Sequence, residues 1–193
     1  MARIPYLDPE TAPDSVRRLL ASDRPQKIAL LFGHAQTNWP RLADLLLSIL
    51  GEQALEGRLR ELAILRVASL RAAAYEWDQH VMIASAAGVS AEQLDAIRRG
   101  RVDATCFGAL ERLVLRATSE LVEQGSASEA TLAELAQHFA PREMVELLLA
   151  AAVYEALAKL MNTLALDREA SVTPAFAEAV NRGKIARSGP LET

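Results

Sequence analysis

The sequence predicts an all-helical protein, and three observations carry that expectation. Half of the 193 residues are hydrophobic (51%), with Ala and Leu abundant, whereas aromatic residues make up only 5%; that mix favours packed helices over sheet. No stretch shows period-two alternation bounded by turn residues, so no strand is predicted. Helix punctuation, by contrast, recurs along the whole chain. The length suits one domain with arms: an arm and short helix over 1–24, a helical domain over 25–165, and a C-terminal arm over 166–193.

The elements follow in order. Asp8-Pro9 to Pro13 reads as an irregular arm leading into a short helix near 14–21. Pro25 opens a second helix that ends near Gly33. Asn38-Trp39-Pro40 combines an N-cap residue with an early-turn proline, and Gly51 stops the helix it starts. Ser90 with Gln93 forms a capping box, and Gly100 closes that helix. Ser128 or Ser126 starts another helix that stops before Pro141, which opens a long one to about Thr163. From Asp167 onward, Pro174, Gly183, Gly189 and Pro190 suggest a loosely attached arm, ordered by a neighbouring subunit.

Composition also excludes functions. A net charge of −4 advertises no surface for nucleic acid. The longest apolar run, Leu147–Tyr154, falls far short of the roughly 20 residues that span a bilayer, and Met1-Ala2-Arg3-Ile4-Pro5 has no signal-peptide pattern. The expectation is a cytoplasmic protein without a membrane partner. One cysteine, Cys106, cannot make an internal disulfide or a redox pair, and its neighbours make it a small packed hydrophobe. His34, His80 and His138 show no ligand spacing, so no metal is expected; His138, near a helix end, suits a surface role. Signatures of nucleophilic hydrolases, dinucleotide binding and the P-loop are missing.

The centre of the chain is the informative part. Residues 58–74 are apolar on nearly every side of a helical wheel, as in a helix buried in a bundle or shared with an oligomer interface. Glu61 nevertheless shares a stripe with Leu65, Ala68 and Ala72. A lone buried carboxylate is costly, so Glu61 is either paired, with Arg66 as one candidate, or functional. The next helix, near 76–87, turns Trp77, Val81, Ala84 and Ala87 inward, and Glu76 and His80 fall on or beside that arc, one turn apart. Glu beside His is a minimal kit for proton transfer near neutral pH. Glu61 meets the pair if the two helices pack antiparallel, and Tyr75 at their corner can donate a hydrogen bond. His34 is a candidate for the same cavity, and Trp77 for its wall. The bland reading makes Glu76–His80 a helix-stabilising pair and Glu61–Arg66 a structural ion pair.

Arg58-Leu59-Arg60-Glu61-Leu62-Ala63-Ile64-Leu65-Arg66-Val67-Ala68, then Tyr75-Glu76-Trp77-Asp78-Gln79-His80 and Ala84-Ser85-Ala86-Ala87-Gly88-Val89-Ser90, resemble the carboxymuconolactone decarboxylase and alkylhydroperoxidase-D-like (AhpD-like) family. Phe32-Gly33-His34-Ala35 through Ile49-Leu50 looks like that family's first helical hairpin. The resemblance implies a bundle of about seven to nine helices, and a trimer or hexamer with sites near subunit contacts.

The family's peroxidase branch carries Cys-x-x-Cys-x-x-x-His with an upstream Glu. Aligned on His80, its cysteines fall at Ala73 and Glu76 and its Glu at Glu61, so the thiols are gone and the acid–base members remain. Peroxidase chemistry needs a thiolate and a resolving partner and is not expected to transfer. The decarboxylase branch implies a cofactor-free reaction on a small organic acid or lactone. His80 would be the general acid, Glu76 and Glu61 would orient it or relay protons, and Arg66 or Tyr75 would hold a carboxylate or oxyanion. A peroxidase-like protein using an external thiol and a non-catalytic ligand-binding oligomer are the alternatives.

Overall fold

The computed structural model describes residues 1–20 and 26–183 and contains, among them, ten helices and no strand. They are α1 (Asp14–Arg17), α2 (Lys27–Phe32), α3 (Trp39–Gly51), α4 (Gly57–Leu70), α5 (Ala74–Ala86), α6 (Ala91–Arg98), α7 (Ala109–Gln124), α8 (Glu129–Leu135), α9 (Pro141–Leu164) and α10 (Pro174–Asn181). Ten exceeds the seven to nine expected because α7 is not among the elements read above and because Pro174 and Gly183 bound a helix, α10, rather than a loose arm. Pro25, Gly189 and Pro190 lie outside the described residues.

Helix α4 is the axis of the bundle. Every residue from Leu59 to Ala68 is buried, because α5, α7 and α9 pack around it. Its all-round apolar character is therefore met within one chain. The Ser90–Gln93 capping box is present in full, and the Ser128 hydroxyl caps α8. Asn38 precedes α3 as expected, but its side chain makes no cap hydrogen bond and its backbone is already helical; Pro40 in the first turn marks that start instead.

The turn between α4 and α5 sets the site. Ala72 adopts a left-handed conformation (φ 50°), the Ala73 amide bonds back to the Ala68 carbonyl at 2.9 Å, and the Ala72 amide bonds to that of Ser69 at 3.3 Å. This is a Schellman turn, here closed by alanine where glycine is commoner. It reverses the chain within three residues, so α5 lies against α4 and the inward faces of the two helices meet.

The stretch after Asp167 is not the loose arm expected from its prolines and glycines. Thr173 caps α10 through its side chain, and Phe176, Ala177 and Val180 are buried with Leu50 of α3 and Ile83 of α5 in a second small core. Upstream, the Glu169 carboxylate accepts hydrogen bonds from the backbone amides of Gln26 (3.2 Å) and Lys27 (3.0 Å) at the start of α2 and from the Tyr75 hydroxyl. Gln79 of α5 donates to the Ala170 carbonyl at 3.2 Å. The segment is thus strapped across α2 and α5 by its own chain.

Candidate active site

Glu61 and His80 come together at the heart of the bundle. Glu61, on α4, is fully buried (0% exposed), and its Oε2 lies 2.8 Å from Nδ1 of His80 on α5. A carboxylate only accepts, so Nδ1 carries the hydrogen and the lone pair of the neutral ring sits at Nε2. The second oxygen of Glu61 accepts from Nε of Arg60 at 3.0 Å. Burial alone would raise the Glu61 pKa, but the charges of His80 and Arg60 and their hydrogen bonds outweigh it and hold the carboxyl below its ordinary range. Arg60 and His80 thus hold the two oxygens of the buried Glu61 carboxylate from either side.

Arg60 rather than Arg66 is therefore the cation beside Glu61. Neighbours in sequence point to different sides of a helix, but the long Arg60 side chain folds back far enough to reach Glu61. Arg66 donates to the Ser119 hydroxyl of α7 at 2.9 Å and takes no part in the site.

Glu76 occupies the first turn of α5, 2% exposed, and neither carboxyl oxygen has a hydrogen-bond partner among the described residues. It does not bond to His80, whose carboxylate neighbour is Glu61. Desolvation alone pushes the Glu76 pKa well above the usual carboxylate value, which favours the neutral form, able to donate a proton or a hydrogen bond.

Glu76 and His80 share the wall of a cavity of about 140 Å³ bounded by α2, α3, α5, α9 and α10. Most of the wall is hydrocarbon: Leu46, Leu50, Ile83, Leu157, Met161 and Phe176 contribute to it. Tyr75 and Gln79 reach the same wall, although the Tyr75 hydroxyl is committed to Glu169. Among the described residues no lysine or arginine lines the cavity. Trp39 of α3 is there too, with a buried indole N–H that has no partner among the described residues.

Tyr154 of α9 is the site residue that sequence reasoning passed over. It is buried, lines the cavity, and sets its ring edge-on to His80 with 4.8 Å between centroids and an interplanar angle of 90°. A signal was present: Tyr154 ends the apolar run that begins at Leu147 and supplies that run's one polar side-chain atom.

Two candidates lie elsewhere. His34 is exposed, its Nε2 2.8 Å from the Pro5 carbonyl, because the turn after α2 directs it away from the bundle. Trp77 is buried on another side of α5 under the Arg98 guanidinium, 4.7 Å from the ring centroid, since 100° per residue turns it away from Glu76 and His80. Cys106 is half-buried in the turn before α7, packed on the main core and away from the cavity wall. Among the described residues no three His, Cys, Asp or Glu side chains gather into a metal-binding group, and no helix is long and apolar enough to cross a membrane.

An all-helical bundle with a carboxylate-fixed histidine at the edge of an apolar cavity is the class that fold and site define. Residues 33–120 match the sequence profile of the carboxymuconolactone decarboxylase family, and a chain with one cysteine cannot carry the paired thiols of a CxxC branch. Its fold is similar to the alkylhydroperoxidase AhpD core structure of an uncharacterised peroxidase-related protein from Ralstonia eutropha JMP134. The TM-score is 0.76 at 15% identity, over 94% of this chain and 96% of that one. It is also similar to a protein of unknown function from Agrobacterium tumefaciens with a suggested AhpD antioxidant-defence role. There the TM-score is 0.63 at 20% identity, over 72% of this chain and 95% of that one. No curated protein matches the chain significantly.

Proposed function

We propose that this protein is a cofactor-free acid–base enzyme acting on a small organic acid or lactone, in the manner of the lyases of the carboxymuconolactone decarboxylase family. The observation that carries this reading is the 2.8 Å contact between Glu61 and His80 at the edge of an apolar cavity. A carboxylate at Nδ1 fixes the ring's tautomer and orientation and supports a positive charge on it, as proton transfer at Nε2 requires. Glu76 adds a second, independently protonated group on the same wall.

The apolar wall sharpens the substrate class. With Arg66 held by Ser119 and no lysine or arginine lining the cavity among the described residues, a polycarboxylate would lose its hydration without gaining a counter-ion there. A lactone, or an acid whose carboxylate stays at the mouth, fits better. Thiol peroxidase chemistry is disfavoured, because Ala73 and Glu76 stand at the positions aligned with the thiols and Cys106 lies away from the cavity.

The experiment is turnover of a panel of small lactones and lactone acids, followed by ring opening and CO2 release. His80→Gln is expected to lower turnover by roughly 10²- to 10⁴-fold while Cys106→Ser leaves it unchanged. Equal activity of wild type and His80→Gln across the panel would remove the acid–base reading.

A further inference from the structure

Three features of the cavity lie close together and are not explained by packing. Tyr154 is a buried residue that lines the cavity, and its hydroxyl is not held by another side chain or carbonyl among the described residues. Neither oxygen of Glu76 has a partner, and the two side chains are near enough to interact electrostatically. The Tyr154 and His80 rings stand perpendicular with 4.8 Å between centroids, and both residues line the same cavity. Buried polar groups left unpaired cost free energy, and the unpartnered Glu76 carboxyl with the Tyr154 hydroxyl, beside a positioned histidine in a hydrocarbon wall, is the arrangement a ligand oxygen would complete.

We propose that Tyr154 and Glu76 are paired hydrogen-bond donors for the carbonyl oxygen of an uncharged lactone or ketone, from whose α carbon His80 removes a proton. The inference rests on the acid–base reading given above and names its substrate class and reaction. Burial favours the protonated donor form of both groups: burial first, then the Glu61 charge, pushes Tyr154 above the ordinary phenol range, and burial pushes Glu76 well above the ordinary carboxyl range. Two fixed donors in a dry site stabilise a developing oxyanion far better than water does.

The step balances without a further reactant. Nε2 of His80 takes the α proton, and the C–H electron pair becomes the carbon–carbon π bond of an enolate. The carbonyl π pair moves to oxygen, where Tyr154 and Glu76 hold it. The imidazolium, balanced by Glu61, then returns the proton to the α carbon, or to the γ carbon of an unsaturated lactone. Return at the γ carbon regenerates the carbonyl and shifts the double bond, so product and substrate are isomers.

Two readouts test this on the full chain. In deuterium oxide, α-hydrogen exchange of small ketones and of α-angelica lactone is followed by NMR for wild type, Tyr154→Phe, Glu76→Met, Glu76→Gln and His80→Gln. Separately, 4-nitrophenol serves as an oxyanion mimic whose bound phenolate is read from its absorbance, with toluene as a neutral control for an intact cavity. Tyr154→Phe and Glu76→Met are each expected to lower exchange and phenolate affinity by roughly 10- to 100-fold with toluene affinity unchanged. Glu76→Gln, which keeps an N–H donor, should retain most of both.

Wild-type exchange and phenolate affinity in Tyr154→Phe and Glu76→Met, with exchange lost only in His80→Gln, would overturn the donor pair and leave the acid–base reading standing. No exchange by wild type, with phenolate affinity still falling in Tyr154→Phe, would keep the donors and overturn proton abstraction by His80. Absence of both exchange and phenolate preference in wild type would overturn the whole proposal.

Discussion

Glu61 on α4 and His80 on α5 meet at 2.8 Å across the Ala72 turn, and the free oxygen of Glu61 is taken by Arg60 at 3.0 Å. The carboxylate is thus the shared partner of two buried bases. Breaking a buried ion pair from one side leaves the other charge uncompensated, at about 3–5 kcal/mol. Glu61→Gln preserves shape and removes the charge, and chemical denaturation should register a loss of that order at neutral pH. The folded-state pKa of Glu61 is depressed below its ordinary 4.5, so its contribution is present above that value and fades as pH falls through the lower folded value. The stability gap between wild type and Glu61→Gln should therefore narrow in acid.

Glu76 has the opposite sign. Its folded pKa is raised well above 4.5, so between those values the unfolded chain gives up a proton that the folded chain keeps. Stability should fall with rising pH across that window, at about 1.4 kcal/mol per pH unit from this one group. Glu76→Gln cannot titrate and should flatten the slope. Its melting temperature relative to wild type should rise from pH 5 to pH 8, and parallel curves would show that Glu76 is not the neutral acid described.

The Glu169 strap is open to a separate test. Its carboxylate caps two amides of α2 and accepts from Tyr75, and hydrogen bonds to a charged group contribute about 1.5–3 kcal/mol. Glu169→Ala should speed amide exchange in α2, and in the segment 167–173, more than in the buried α4.

Ala72 holds a left-handed conformation that costs an L residue roughly 1–2 kcal/mol and glycine almost nothing. Since the Ala72 side chain is exposed, Ala72→Gly should stabilise the fold by about 1 kcal/mol and raise the melting temperature by about 2–4 °C. A lower melting temperature would mean that the turn draws support from the Ala72 methyl group.

What could be read from sequence divides along physical lines. Helix starts that depend on local chemistry, such as Ser90 with Gln93 and Pro141, are written in adjacent residues and were legible. So was the inward placement of Glu61, Glu76 and His80, since helical periodicity fixes which face a residue takes. Partner choice was not. The sequence offers Arg66 as a partner for Glu61, whereas Arg60, next to it in the helix, is the one whose long side chain folds back onto it. Glu76 was matched to His80 by spacing, whereas the fold gives His80 the carboxylate of the other helix. Tyr154 lies far along the chain from His80, and its role depends on how α9 crosses α5. The segment after Asp167 looked loose because prolines and glycines break long helices; they do not prevent a short, well-capped one such as α10 from packing.

That last segment bears on how the protein is made. Val172 and Phe176 close one side of the cavity, yet they leave the ribosome only after α3, α5 and α9, which line the rest. A nascent chain that has already folded its earlier helices still presents an open, greasy hollow to the cytosol or to neighbouring chains. Chains cut short by a premature stop codon between α9 and α10 would keep that hollow permanently and become natural prey for chaperones and proteases.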